Sequence, residues 1–278
     1  MSTLSVAVIT RNEAANIRRC LDSVAWADEI IVVDSGSTDG TVEASRPLAS
    51  KVYVREFDAF DSQKNFAVQQ ATGDWVLSLD ADEVVSPALR DELRAVLARD
   101  GDGCDGFVLQ RTNYLCGRPL RYIWGRDALV RLVRKGRGRF RNAVHEKLHV
   151  EGRVAELTHP LLHYNSASLS EYLAKNHQYI RLEAQARYQK GDRFRIGRAL
   201  GSPVRVFLFR YLRLGGFRDG RIGLIVSVLL AFFTFLMHVS LWELSRCGGQ
   251  ECAKTASPTA DRRVGDIART SNADQPDA

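Results

Sequence analysis

The stretch Trp75-Val76-Leu77-Ser78-Leu79-Asp80-Ala81-Asp82-Glu83 is a short apolar run rich in β-formers that ends abruptly in carboxylates. A strand buried on both faces is nearly continuously apolar, and ligands of an open α/β sheet bind beyond the carboxyl ends of such strands. Asp80 and Asp82 thus stand where a ligand would be. With only Ala81 between them, the two carboxylates can approach a common point, and paired hard oxygen donors suit Mg²⁺ or Mn²⁺ that also binds substrate phosphates. Asp-x-Asp by itself is common in solvated turns, so its meaning depends on what lies upstream.

Upstream, the same arrangement occurs twice more. Leu4-Ser5-Val6-Ala7-Val8-Ile9 predicts a strand, followed by Thr10-Arg11-Asn12-Glu13 and a helix with apolar spacing through Ile17, Leu21 and Val24. Ile30-Ile31-Val32-Val33 predicts a second strand, closing on the polar loop Asp34-Ser35-Gly36-Ser37-Thr38-Asp39-Gly40-Thr41, with glycines for tight turns and hydroxyls fit to cap a helix. A third strand is expected over Lys51–Val54, and a helix from Ser62 to Thr72 carrying Lys64 and Asn65, ended by Gly73. Such alternation predicts parallel strands with helices on both faces, the acidic ends of the second and fourth strands lying on one edge.

Downstream, Ser86-Pro87 opens a helix, and the pattern from Gly106 to Val150 turns strand-like and irregular. That half is expected to build the acceptor side. It holds Arg126, Arg131 and Arg141, which could grip acceptor phosphates, and the pair His145-Glu146, of which an extended chain points only one inward. Ser168 to Lys190 reads as a packing helix.

The chain has 278 residues and a formal charge of +6, which suits an anionic partner without choosing one. Its five cysteines include no tight pair, which fits a reducing compartment, and the first residues do not read as a secretory signal. The cations concentrate between Arg193 and Arg221, interleaved with Val204, Phe207, Leu208 and Phe209 in the manner of a helix lying among lipid headgroups. Ile222 to Trp242 then runs almost uninterruptedly apolar for a length that crosses a bilayer. Basic flanks keep the preceding domain on the cytoplasmic side, whether the apolar stretch spans, forms a hairpin or is a monotopic anchor, and the concentration of charge beside it argues against nucleic acid. Residues 247–278 are polar and expected to be disordered.

Taken together, Val8-Ile9-Thr10-Arg11-Asn12-Glu13, Val33-Asp34 through Thr41, Lys64-Asn65, Gly73-Asp74-Trp75 and Leu79–Glu83 resemble the family-2 glycosyltransferases of GT-A fold, in order and spacing. Val144-His145-Glu146, His163-Tyr164 and Gly216-Phe217-Arg218-Asp219-Gly220 more narrowly resemble bacterial lipopolysaccharide inner-core β-1,4-glucosyltransferases. The resemblance implies an α/β fold with a mixed sheet, helices on both faces and membrane-associated C-terminal helices. The expected divisions are a transferase domain over 1–190 (donor half 1–103, acceptor half 104–167, packing helix 168–190), a membrane-associated region over 191–246 and a tail over 247–278.

Carried onto this sequence, the resemblance implies that Thr10, Asn12 and Glu13 line the nucleotide pocket, that Asp34 meets ribose or base, and that Asp39 lies near uracil. Lys64 would sit beside the pyrophosphate, Asp80 would touch ribose or metal, and Asp82 would hold the divalent ion. The implied reaction is inverting transfer of a hexose, glucose from UDP-glucose, to a heptose-containing core saccharide linked to lipid, with residues 193–242 at the membrane. Glu146 is the expected general base and His145 its rival or a further metal ligand. A polyprenyl-phosphate glycosyltransferase would share the donor site, and a non-catalytic membrane-tethered module binding a nucleotide or phosphoryl group is the alternative of another class.

Overall fold

A computed structural model describes residues 2–141 and 146–246, apart from the side chain of Gln178. His145 and the expected tail over 247–278 lie outside them. In chain order the first elements are β1 (Leu4–Thr10), α1 (Ile17–Ser23), β2 (Glu29–Asp34), α2 (Thr41–Ser45), β3 (Lys51–Val54), α3 (Phe60–Gln70), β4 (Trp75–Asp80), β5 (Glu83–Val85) and α4 (Pro87–Ala98). There follow β6 (Gly106–Leu115), β7 (Arg118–Leu120), β8 (Ala128–Arg134), β9 (Gly138–Arg141), β10 (Lys147–Val150), β11 (Val154–Glu156) and β12 (Leu161–Ser166). The last helices are α5 (Leu169–Gln189), α6 (Ile196–Leu208) and α7 (Gly220–Arg246).

The main sheet runs β3-β2-β1-β4-β8-β6-β12-β5, with β7 and β11 also paired to β6. Its first four strands are parallel, as their alternation with helices requires; β8 joins β4 antiparallel, and the sheet becomes mixed from there. Successive residues of a strand face opposite sides, and the two cores follow that period. Val6, Val8, Ile30, Val32, Leu77 and Leu79 pack under Ile17, Leu21, Leu89 and Leu93 of α1 and α4. Ala7, Ile31, Val33 and Val76 pack on the other face under Ala67 and Ala71 of α3. Two-sided burial explains the nearly unbroken apolarity of Trp75–Leu79. Gly73 is needed where the chain enters β4, because a Cβ there would stand 2.9 Å from the Ser5 amide nitrogen. Ser86 caps α4 as its hydroxyl accepts from the Leu89 amide at 3.2 Å.

The chain divides into two compact units, one of Met1–Ala174 with Arg210–Val226, the other of Lys175–Phe209 with Ser227–Ala278. In the first unit, Asp219 accepts hydrogen bonds from the backbone amides of Arg121, Tyr122 and Ile123 at 3.0–3.1 Å. Arg218 lies over the Tyr122 ring at 3.9 Å, so Gly216–Gly220 fastens its segment to the loop after β7. The expected headgroup helix is shorter than the run of arginines: α6 ends at Leu208, and Phe209–Arg213 forms a wider helical turn. Among the described residues one helical segment, Gly216–Arg246, is long and apolar enough to cross a membrane.

Candidate active site

The sheet brings the acidic strand ends together. β1 lies between β2 and β4, with Thr10 in register with Asp34 and Ile9 with Asp80, so both carboxylates flank the end of β1. Thr10 itself is buried, and its hydroxyl has no hydrogen-bond partner among the described residues. A buried hydroxyl left unpaired is costly unless a ligand completes it.

The loops after β1 and β2 are stitched to each other. Asn12 adopts φ +54°, a left-handed conformation that asparagine tolerates better than most residues. There its amide donates to the Ser37 hydroxyl at 2.7 Å and its Oδ1 accepts from the Thr38 amide at 2.9 Å. The Glu13 amide donates to the Thr41 hydroxyl at 2.9 Å. Asp34 is buried and accepts from the amides of Gly36 and Ser37, closing its own turn. Asp39 accepts from the amides of Ala14 and Thr41, and these bonds with the Thr41 hydroxyl hold its carboxyl below the usual range against the opposing effect of burial. Expected to touch the nucleoside, Asp34 and Asp39 also hold the two loops in shape.

Beyond β4 the charges form a chain. Lys64, 2 % exposed on α3, reaches Asp80 Oδ1 at 2.8 Å and Glu146 Oε1 at 2.6 Å. Arg131 of β8 binds Asp80 Oδ2 at 2.6 Å and Glu83 Oε1 at 2.7 Å. Arg111 of β6 continues from Glu83 at 3.2 Å to Asp127. Burial opposes the ionised form of Asp80, yet Arg131 and Lys64 hold its carboxyl far below the usual range, and Asp80 and Glu83 in turn raise Arg131 against its own burial. Arg131, expected to grip acceptor phosphates, is instead buried between two carboxylates and cannot reach a ligand in solvent.

Asp82 stands in the turn between β4 and β5. Because β5 pairs with β12, Glu83 is in register with His163, and the Tyr164 amide donates to the Asp82 carbonyl at 2.8 Å. His163 Nε2 lies 3.4 Å from Asp82 Oδ2. Burial works to lower the His163 pKa, and the Asp82 carboxylate outweighs it and raises it. Its Nδ1 lies 2.6 Å from Asn113 Oδ1. No group of three or more metal-binding side chains occurs among the described residues.

With this geometry in place, sequence comparison decides the kinship: the profile described as Glycosyl transferase family 2 matches residues 5–147. The chain belongs to that family. The transferase is 32% identical over 86% of its length to the lipopolysaccharide core biosynthesis glycosyltransferase LpsC of Rhizobium meliloti, covering 92% of that protein. It is 30% identical to an uncharacterized glycosyltransferase of Rickettsia typhi, over 88% of each chain. Among solved structures, S. aureus TarS 1-349 in complex with UDP aligns over 88% of this chain and 92% of that one, at 18% identity and a TM-score of 0.45.

Family membership gives the transferase a nucleotide-sugar donor and a saccharide acceptor. The structure brings Lys64, Asp80 and Glu146 together; Asp82 joins a different residue, His163, whose site role the sequence reading had not assigned. The signal for His163 was present in the His163-Tyr164 pair, but only the pairing of β5 with β12 shows what it faces. Glu83, Arg111, Asn113 and Asp127 were likewise missed, since nothing local marks a charged residue as buried.

Proposed function

We propose that this glycosyltransferase is an inverting, metal-dependent hexosyltransferase, with UDP-glucose as donor and a heptose-containing lipopolysaccharide core saccharide as acceptor, working at the cytoplasmic face of the inner membrane. The observation that carries the donor side is the meeting of Asp82 and His163 at the carboxyl edge of the sheet. A carboxylate and an imidazole 3.4 Å apart would hold one Mg²⁺ or Mn²⁺, a cation that also suits diphosphate oxygens. Asp80 holds Lys64 through one oxygen and Arg131 through the other. Once bound, the ion offsets the negative charge that grows on the departing diphosphate.

Thr10, Asn12, Glu13, Asp34 and Asp39 form the nucleoside end of this site, with the unpaired Thr10 hydroxyl turned to the donor. Glu146 takes the proton of the acceptor hydroxyl as that oxygen bonds to the anomeric carbon. The bond from the carbon to the phosphate oxygen breaks, and its electron pair leaves with the nucleoside diphosphate. The Glu146 oxygen that Lys64 holds becomes available only when the ammonium finds another anion, and the donor diphosphate is such an anion.

The acceptor and location rest on similarity to a lipopolysaccharide core enzyme and on the apolar Gly216–Arg246 segment. The test is release of UDP from a panel of nucleotide sugars by detergent-solubilised protein, with Mn²⁺ or EDTA and with or without lipopolysaccharide core. Metal-dependent release stimulated by the core and lost in Asp82→Ala is expected. Full activity toward polyprenyl phosphate, unchanged in Glu146→Gln, would replace this reading with the lipid-phosphate one.

A further inference from the structure

Asn113, 3 % exposed near the C-terminal end of β6, has its two polar side-chain atoms committed to different partners. Its Nδ2 donates to Asp127 Oδ2 at 2.9 Å, and its Oδ1 lies 2.6 Å from His163 Nδ1. Asp127 is forked by Arg111, whose Nε and Nη2 each reach one of its oxygens at 3.1 Å. A carboxylate in such a fork offers only acceptors, so it fixes which end of the Asn113 amide faces it. The end left for His163 is the carbonyl oxygen, another acceptor. The His163 nitrogen beside it must therefore carry the hydrogen. In the neutral ring that leaves the lone pair on Nε2, the atom facing Asp82. The 3.4 Å between Nε2 and Asp82 Oδ2 is longer than an N–H···O hydrogen bond usually runs.

We propose that Asn113 is a positioning residue: held by Asp127 and Arg111, it keeps the His163 proton on Nδ1 and presents the Nε2 lone pair beside Asp82. The consequence for metal binding rests on the reading of Asp82 and His163 as ion-holding residues; the tautomer itself does not. Without Asn113 the ring is free to carry its proton on Nε2, where it would donate to Asp82 and close the pair against a cation. Outer partners that orient a ligating histidine typically change metal affinity by about 10–100-fold.

The test uses full-length protein in detergent with ¹⁵N-labelled histidine, stripped of metal, at a pH alkaline enough to leave the ring neutral. Imidazole ¹⁵N shifts are expected to show His163 protonated on Nδ1 and bare on Nε2 in the wild type. In Asn113→Leu the proton moves wholly or partly to Nε2, and Mn²⁺ affinity, read by electron paramagnetic resonance, falls about 10–100-fold. Asp127→Asn, which still offers an oxygen to the Asn113 amide, keeps the wild-type tautomer; Asp127→Leu, which offers none, loses it. A wild-type proton on Nε2 overturns the proposal with no variant needed, and so does an Asn113→Leu protein whose tautomer and Mn²⁺ affinity are unchanged. His163→Ala binding Mn²⁺ as tightly as wild type would instead remove the ion-holding reading, while a wild-type Nδ1 proton lost in Asn113→Leu would still support the role of Asn113.

Discussion

At the carboxyl edge of the sheet, Lys64, Asp80, Arg131, Glu83, Arg111 and Asp127 each meet an opposite charge within 3.2 Å. On α6 and the turn after it, Arg195, Arg205 and Arg213 have no carboxylate partner among the described residues, and beside them Ile196, Leu200, Val204 and Leu208 are 47–65% exposed. Their spacing of four residues makes one apolar stripe with arginine along its flank. The first group satisfies itself inside the fold, where an unpaired charge would be very costly. The second leaves both its cations and its apolar stripe exposed, the pattern that the proposed membrane attachment would use. The same residue type is thus internal cement in one region and exposed in the other.

The largest effect expected from breaking this contrast is at Arg131. Arg131→Met removes the buried cation that Asp80 and Glu83 share, leaving Asp80 with Lys64 alone and Glu83 with Arg111 alone, and should destabilise the protein by about 3 kcal/mol, while Arg205→Met should leave the denaturation midpoint close to wild type. Equal midpoints for the two variants would erase the distinction. Asp82→Ala acts on chemistry and not on the cement: turnover should fall by about a hundred- to a thousand-fold with stability within about 1 kcal/mol of wild type. A variant that unfolds in parallel with its loss of activity would show that Asp82 belongs to the structural network.

A third test lies at the opposite end of the strands. Glu29 accepts from Ser5, Thr72 and Lys51; burial would raise its pKa, but these partners bring it down to about 2. A carboxyl depressed on folding contributes its stability above the unfolded pKa and loses it as pH falls toward the folded value. Acid titration of wild-type stability should therefore show up to about 3 kcal/mol disappearing between about pH 4.5 and 2, a component missing from Glu29→Gln. Parallel titration curves for the two proteins would contradict it. The smallest effect belongs to the exposed arginines of α6 and its flanks. Replacing Arg195, Arg205 or Arg213 by Gln should cost about 1 kcal/mol each, roughly fivefold in partitioning, on anionic vesicles and nothing on neutral ones.

The legibility of the chain divides along the same line. Strand and helix order from Leu4 to Ala98, the short β5 apart, follows from local pattern, because two-sided burial imposes nearly unbroken apolarity on β1, β2 and β4 and polar loops punctuate them. α6 was visible too, since its arginines and apolar residues alternate over one short stretch; its end at Leu208 was not, since Phe209–Arg213 continues the same composition in a wider turn. The buried network was hidden for a physical reason. In Leu129-Val130-Arg131-Leu132-Val133 the arginine looks like any exposed cation, and its burial is decided only when β8 pairs antiparallel with β4 and sets it beside Asp80. His163 and Asn113 are likewise joined to the site by the register of β12 against β5 and β6, which no local spacing encodes.

The most direct test is calorimetric titration of UDP into the full-length protein in detergent, with Mn²⁺ or with EDTA, for wild type, Asp82→Ala and His163→Ala. If Asp82 and His163 hold the ion that holds the diphosphate, UDP binds in Mn²⁺, binding collapses in EDTA, and each substitution weakens it by about tenfold or more. UDP binding that is indifferent to EDTA and to both substitutions would contradict the site described above.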